Sequence, residues 1–137
     1  MRVMPPQPTG EPIEFKGYPF IVKKLWRQGK LPTVKYGFYG DLLTPENVSA
    51  EHLIPHSKPH STTTTDNLVL SSMANNIKRG NRPLCWYFSE ENFAQYKDQF
   101  SGIKLPNFDG DAYNAMIEKK VRAILKEEVK NHLDIMA

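Results

Sequence analysis

Three of the four histidines of the chain lie in one short stretch, EHLIPHSKPH. His52, His56 and His60 recur at every fourth residue of it. On a helix, that spacing would place three imidazoles on one face, where they could bind zinc. Pro55 and Pro59 lie inside the span, however, and each would cost a helix roughly 3 kcal/mol. The spacing therefore does not predict a helical zinc site, and each histidine has to be judged by itself.

The residues that follow single out His52. Glu51 and His52 form an acid–histidine pair at the end of a strand-like segment, and a polar loop follows them. Asn67 then opens the apolar run NLVL, and Asn76 comes nine residues later, just before IKRG. An imidazole has a pKa near about 6.5 and can take a proton from water. Carboxylate and amide oxygens suit Mg²⁺ or Mn²⁺. Together these groups are typical of phosphodiester hydrolysis.

Residues 49–81 resemble the motif of the HNH endonucleases, whose fold is the ββα-metal finger. The motif has an acid–histidine pair before a proline, then a loop, an Asn-Leu pair, and a helix that bears Asn or His before a Lys-Gly pair. The resemblance implies that His52 is the general base. It also implies that Asn67 braces the loop and orients this base. Strand alternation alone would turn Glu51 and His52 to opposite sides, and the resemblance implies a backbone turn at this point.

The same resemblance implies one divalent metal and a set of phosphate contacts. Glu51 and Asn76 would hold a Mg²⁺ or Mn²⁺ ion, a place that Zn²⁺ or Ni²⁺ can take in crystals. Lys78 and Arg79, at the end of the predicted helix, would contact phosphates. His56 and His60 are interpreted as loop residues, and the run of threonines that follows them as loop.

The chain departs from the family at the places where many members bind a structural zinc. Those members carry two Cys-x-x-Cys pairs, whereas Cys85 is the only cysteine here. Tyr36 and Tyr39 stand near the position of the first pair, so we expect no structural zinc. Aromatic side chains, with Phe38 among them, and the C-terminal helices are expected to hold the unit together by packing. Arg79 takes the place of the expected lysine.

Composition fits one small domain over residues 1–137. The net charge of +3 and a pI near 8.9 permit a polyanionic partner without requiring one. The chain lacks both a signal-peptide-like apolar run and the roughly 20 apolar residues of a membrane span, so a cytoplasmic protein with no membrane partner is expected. The resemblance implies a bacterial or phage-encoded origin.

Hydrophobic periodicity and end signals predict short strands and helices, and the resemblance implies that they form an α+β fold with a small ββα-metal core. The core is predicted over about residues 34–82, with an extended proline-rich arm before it and helices over about residues 89–134 after it. The predicted elements, in chain order, are an arm (1–13), a short helix (18–30), strands (33–40, 46–52 and 67–72) and helices (72–80, 89–100 and 111–136). Trp86, Tyr87 and Phe88 are expected in the core.

The function that the resemblance implies is that of a metal-dependent endonuclease, a hydrolase that cleaves phosphodiester bonds in double-stranded DNA. Two alternatives stay open at this point. One is a nucleic-acid-binding module that has kept the fold without turnover. The other is a nuclease subunit that is active only within a larger phage or bacterial complex, with protein partners that the sequence does not specify.

Overall fold

The computed structural model describes residues 35–106 and 108–136 of the chain. The predicted arm and the first predicted helix lie outside these ranges. The described part is an α+β protein with two small antiparallel sheets and three helices. Its strands are β1 (Val48–His52), β2 (Leu68–Ser72), β3 (Lys104–Leu105) and β4 (Phe108–Asp109). Its helices are α1 (Met73–Arg79), α2 (Glu90–Asp98) and α3 (Gly110–Met136), with 3₁₀ turns at Thr65–Asn67 and Leu84–Trp86.

β1 and β2 form an antiparallel hairpin whose register pairs His52 with Leu68. α1 begins directly after β2, because the Ser72 hydroxyl accepts from the Asn75 amide at 3.2 Å and so caps the first turn. Gly80, at φ 53°, ends the helix in a conformation that glycine adopts readily. The two strands and this helix confirm the sequence-based predictions for the same segments.

The strand predicted at TVKYGFYG is wrong for its described part, which is a turn. The Gly37 amide donates to the Asp41 carbonyl at 2.7 Å, and the Gly40 amide donates to the Gly37 carbonyl at 3.0 Å. Gly40 has φ 85°, a backbone conformation that favours glycine. Within this segment of the described chain, strand-like pairing is limited to one bridge between Tyr36 and Leu42. The two glycines thus fold the segment back on itself.

The edge of β2 that faces away from β1 is hydrogen-bonded at Leu68, Leu70 and Ser72. The Leu68 carbonyl accepts from the Tyr113 hydroxyl, and the Leu70 amide donates to the Tyr96 hydroxyl, both at 2.9 Å. The Leu70 carbonyl accepts from the Phe38 amide, also at 2.9 Å. The Ser72 amide donates to the Asp41 carboxylate. The two phenols also bond to each other at 2.7 Å.

An aromatic cluster fills the core between the hairpin and helices α2 and α3. Phe38 is 1% exposed, and its ring centroid lies 5.2–6.1 Å from those of four aromatic neighbours. These neighbours are Tyr39, Phe88, Phe93 and Tyr96. Such edge and tilted contacts are favourable beyond simple burial. The expected packing of Phe38 and Tyr39 against the C-terminal helices is confirmed.

Helices α2 and α3 supply most of the remaining core. Ser89 caps α2 by accepting from the Asn92 amide at 3.3 Å, as the sequence predicts. The apolar stripe of α3 is buried at Tyr113, Ile117 and Val121. In residues 35–106 and 108–136, no helix is both long and apolar enough to cross a bilayer.

The prediction of a buried Trp86 is wrong, since this side chain is 68% exposed. Leu84 is the residue of that 3₁₀ turn that enters the core. The Glu128 carboxylate of α3 fixes the turn by accepting from the amides of Leu84 and Cys85 at 2.7 and 2.8 Å. Because the turn is short, turning Leu84 inward leaves Trp86 on the outside, whereas Phe88 packs against the core.

Candidate active site

The sequence motif implies six site residues, which are Glu51, His52, Asn67, Asn76, Lys78 and Arg79. Glu51 and His52 end β1, and the side chains of consecutive strand residues point to opposite faces. Asn76 and Arg79 lie three residues apart on α1 and contact the β1 face that carries Glu51. The structure therefore brings Glu51 and the α1 residues together. His52 belongs to the other face of the hairpin.

The Glu51 carboxylate is buried inside a complete set of hydrogen bonds. The residue is 2% exposed, and one of its oxygens accepts from the Ser71 hydroxyl at 2.9 Å. The other oxygen accepts from the Tyr39 hydroxyl and from Arg79 Nη1, which lies 3.3 Å away. Burial raises the pKa of this carboxyl, and the three donors oppose that rise because they favour the charged form. Glu51 and Arg79 thus form a buried ion pair, and the hydroxyls of Tyr39 and Ser71 donate to the same carboxylate.

This arrangement of Glu51 does not fit a divalent metal ion. Mg²⁺ requires carboxylate oxygens that are available for direct coordination. Here the Arg79 guanidinium already neutralises the carboxylate, and Tyr39 and Ser71 occupy both oxygens. Asn76, the other predicted ligand, is half-buried, and its Nδ2 donates to the Ser49 hydroxyl at 2.9 Å. The burial of Glu51 and its ion pair with Arg79 make it a poor ligand for an ion in this arrangement.

Arg79 is buried as well, at 1% exposed, and its guanidinium donates four hydrogen bonds. The acceptors are Glu51 Oε2 and the backbone carbonyls of His52, Leu53 and Arg82. The predicted phosphate contact of Arg79 does not fit this burial, because all sides of the guanidinium face protein atoms. Lys78 is exposed and can still reach a ligand from solvent.

His52 meets solvent at the end of β1. Its imidazole is half-buried, and its Nε2 lies 3.0 Å from the Thr63 hydroxyl. The ring of His56 approaches it edge-on, with 5.3 Å between centroids. Burial lowers the pKa of His52 below its ordinary value of 6.5, and the charge of His56 lowers it further. The neutral form of His52, which can accept a proton, is therefore favoured at neutral pH.

Asn67 fixes the loop that begins after His52, which we define as the long loop (residues 53–64). The Asn67 carbonyl accepts from the Leu53 amide at 2.8 Å, and its Oδ1 accepts from the Ile54 amide at 2.9 Å. Its Nδ2 donates to the carbonyls of Thr62 at 2.8 Å and Ile54 at 3.3 Å. One buried amide side chain thus joins both ends of the long loop. This geometry is what a loop brace requires.

The sequence did not indicate three side chains of this site. Thr63 contacts the His52 ring, but it stands in a run of four threonines with nothing to distinguish it. Ser71 and Tyr39 donate hydrogen bonds to Glu51. The sequence predicts Ser71 only as part of a strand, and Tyr39 only as an aromatic side chain that packs. The composition of β2 offers a partial signal, because Ser71 is a polar residue in a strand that is buried and largely apolar.

These contacts divide the candidate site into two parts that share strand β1. A buried ion pair locks α1 to β1, and a half-buried imidazole stands at the end of the same strand beside a braced loop. Comparisons of the whole chain with family models, with curated proteins and with solved structures gave no match.

Proposed function

We propose that this protein is an endonuclease of the HNH type with a ββα-metal core, which hydrolyses phosphodiester bonds in DNA with His52 as general base. The observation that carries the proposal is the half-buried imidazole of His52, held by Thr63 at the end of β1 beside the loop that Asn67 braces. A general base needs a fixed position, access to water and a neutral ring at working pH. The surroundings of His52 supply all three.

The proton transfer uses the two nitrogens of the ring in different ways. We assign the Nε2 hydrogen as the donor to the Thr63 hydroxyl, which leaves the lone pair of Nδ1 to take a proton from water. As that proton moves to Nδ1, the water oxygen bonds to phosphorus and the bond from phosphorus to the leaving 3′-oxygen breaks. The leaving oxygen takes its proton from solvent. By resemblance, the products carry a 5′-phosphate and a 3′-hydroxyl.

The charge of the long loop and of the segment from α1 to Ser89 suits a polyanionic substrate. Neither residues 53–65 nor residues 73–89 contain an aspartate or a glutamate. The Ser57 hydroxyl donates to Asn81 Oδ1 at 2.8 Å and so ties the long loop to the segment after α1. Exposed cations flank this junction, and we call them the basic rim: Lys58, Lys78 and Arg82. Phosphate groups bind such lysine and arginine side chains with an affinity that falls as salt rises.

A dependence on Mg²⁺ or Mn²⁺ is part of the proposal and rests on the sequence motif. Glu51 and Asn76 offer hard oxygen donors on one face of the strand–strand–helix unit. The hydrogen-bonded arrangement of Glu51 does not fit such an ion, so no step of the proposed mechanism passes through a metal.

The test is a cleavage assay on supercoiled plasmid with Mg²⁺ or Mn²⁺, at low salt, with and without EDTA. We expect the wild-type protein to nick or linearise the plasmid, and His52→Ala to lose at least about 100-fold in rate. His60→Asn is the matched control, because His60 is an exposed loop histidine at φ 70°, a conformation that asparagine tolerates. An inactive wild-type protein, or an active His52→Ala variant, would refute the proposal.

The closed state of Glu51 favours a second candidate function, a nucleic-acid-binding module without turnover. In that case the basic rim would still hold DNA, while the ion pair of Glu51 with Arg79 would be purely structural. Tight, salt-dependent binding of duplex DNA with no cleavage under Mg²⁺, Mn²⁺, Zn²⁺ or Ni²⁺ would establish this alternative. Cleavage under any of them, abolished by His52→Ala, would exclude it.

A further inference from the structure

The Arg79 guanidinium lies directly beneath the backbone of the proposed base. Nη1 donates to the His52 carbonyl at 3.1 Å, and Nη2 donates to the Leu53 carbonyl at 2.7 Å. The same Nη1 contacts the Glu51 carboxylate at 3.3 Å. Three consecutive residues at the end of β1 are thus held by one planar group. Nε completes the set by donating to the Arg82 carbonyl at 3.1 Å.

An arginine is suited to this place for a geometric reason. Its guanidinium is a rigid planar fork with five N–H donors, whereas a lysine ammonium is a compact charge on a flexible stem. Only the fork can reach a carboxylate and two successive carbonyls at once without rearrangement. The carboxylate of Glu51 is also needed, because an unpaired buried cation is strongly unfavourable. Arg79 is 1% exposed and Glu51 is 2% exposed, so the pair is screened from water.

These contacts bear on His52 because the end of a strand is where backbone position is least constrained. The last β1–β2 pair is His52 with Leu68, and the chain then leaves the sheet for the long loop. Arg79 holds the His52 carbonyl from the α1 side, and Asn67 holds the amides of Leu53 and Ile54 from the β2 side. The backbone beneath the imidazole is therefore clamped from two directions.

We propose that Arg79 is a positioning residue that fixes the backbone at His52 and Leu53, with Glu51 as its buried counter-charge. The inference deepens the proposed function and rests on it, because it gives Arg79 and Glu51 a task in the same site. It replaces phosphate binding as the task of Arg79. The loss of the clamp would let the imidazole move, and a misplacement of about 1 Å can cost roughly 100-fold in rate.

Arg79→Lys is the main variant, since it keeps the charge and removes the fork. We expect kcat for plasmid cleavage to fall by about 10- to 100-fold while KM stays near the wild-type value. Lys78→Ala is the matched control on the preceding residue of α1, which is exposed. That variant should raise KM with little change in kcat, because it removes a contact to the substrate in both ground and transition states. A pure rise of KM in Arg79→Lys would overturn the inference, as direct phosphate binding would explain it.

A second measurement reports on the clamp without any cleavage. The amides of Leu53 and Ile54 are hydrogen-bonded to Asn67, so their hydrogen exchange reports whether the end of β1 stays in place. We expect exchange at these two amides to quicken in Arg79→Lys, while the Leu70 amide stays protected by Tyr96. Unchanged exchange at Leu53 and Ile54 together with wild-type kcat would refute the clamp.

Rescue by a small molecule distinguishes positioning from general loss of structure. Arg79→Ala leaves a buried space of guanidinium shape, so millimolar guanidinium should restore part of kcat and slow the exchange of Leu53 and Ile54. Millimolar ammonium, which lacks the planar fork, should restore neither. Equal rescue by both cations would overturn the inference, since charge alone would then suffice. If the wild-type protein does not cleave at all, the proposed function fails, and the exchange data alone decide whether the clamp exists.

Discussion

Glu51 and His52 are neighbours in β1, yet their side chains lie in two contrasting regions. Glu51 lies in a closed region where each carboxylate oxygen has a donor and the facing cation is itself buried. His52 lies in an open region, where the long loop provides one hydroxyl contact and an exposed histidine beside the ring. The closed region is built from both strands of the hairpin, helix α1 and the turn that carries Tyr39, and the open one from a loop. The two side chains are joined through the backbone of two consecutive residues.

This contrast suits the roles that we propose for the two side chains. A buried polar network offsets the free-energy cost of its desolvation only when every polar group in it has a hydrogen-bond partner. It then adopts one arrangement. A catalytic base needs the opposite surroundings, with water at hand and room for a substrate. Placing the two on successive strand residues lets the rigid network fix the position of the open group.

The largest effect is expected in the open region. His52→Ala should reduce the rate of DNA cleavage by about 10²- to 10⁴-fold, the usual contribution of a general base. The melting temperature should stay close to that of the wild type, because the imidazole is half-exposed and contacts one hydroxyl. Cleavage rates and thermal unfolding of the same preparation check both statements. A large loss of stability would mean that the two regions are not separate.

The closed region should respond in the opposite way, with stability as the main loss. Glu51→Ala leaves the Arg79 cation buried and unpaired, so we expect the free energy of unfolding to fall by about 3–5 kcal/mol. The double variant Glu51→Leu with Arg79→Met should recover most of that loss, because it removes both charges. Urea unfolding of both proteins measures the difference. If Glu51→Ala alone were as stable as the wild type, the network would not be the anchor of this region.

A smaller loss is expected where the core meets the hairpin. Tyr96→Phe removes the hydroxyl that accepts from the Leu70 amide and bonds to Tyr113, and it leaves a buried donor unsatisfied. We expect a cost of about 1–3 kcal/mol in the free energy of unfolding, with cleavage unchanged at temperatures where the protein is folded. Denaturant unfolding beside a cleavage assay tests this. A fall in kcat without a fall in stability would tie this edge to the open region.

The smallest effect concerns pH. Because burial and His56 lower the pKa of His52, the ring protonates only below the ordinary value of 6.5, and cleavage should be lost as pH falls through that lower pKa. The unfolded chain takes up this proton first, so stability should also decline slightly as pH drops below 6.5. His56→Ala should move the acid limb of the rate profile slightly upward, since burial is the larger cause. A rate profile with no acid limb at any pH where the protein stays folded would remove His52 as the base.

The sequence is a good guide to the elements that local signals define. The β1 and β2 segments, the Ser72 and Ser89 caps and the apolar stripe of α3 are all predictable, because strand alternation, capping and a 3.6-residue period act over short distances. The strand predicted near Tyr36 is wrong because the two glycines in it favour a turn. The prediction for Trp86 is wrong because its burial depends on how Glu128 of α3 holds a distant 3₁₀ turn.

The candidate site is predictable only in part. The spacing of His52 and Asn67 points to a base and its loop brace, and the structure places Asn67 across both ends of the long loop. The burial of Arg79 is not predictable, because Lys78 beside it carries the same charge and the two differ only in which side of α1 meets β1. The burial of Glu51 is not predictable either, because no local sequence signal indicates that Tyr39, twelve residues earlier, donates to its carboxylate.

The sealed outer edge of β2 has a consequence for the behaviour of the protein in concentrated solution. Strands at the border of a sheet offer free amides and carbonyls to other chains, and this is a common route to aggregation. Along β2, tyrosine hydroxyls, the Phe38 amide and the Asp41 carboxylate occupy four of the backbone groups through which another strand would add. A hairpin this small is thereby kept from templating its own polymer along that side, and the aromatic core that stabilises it also acts as its cover.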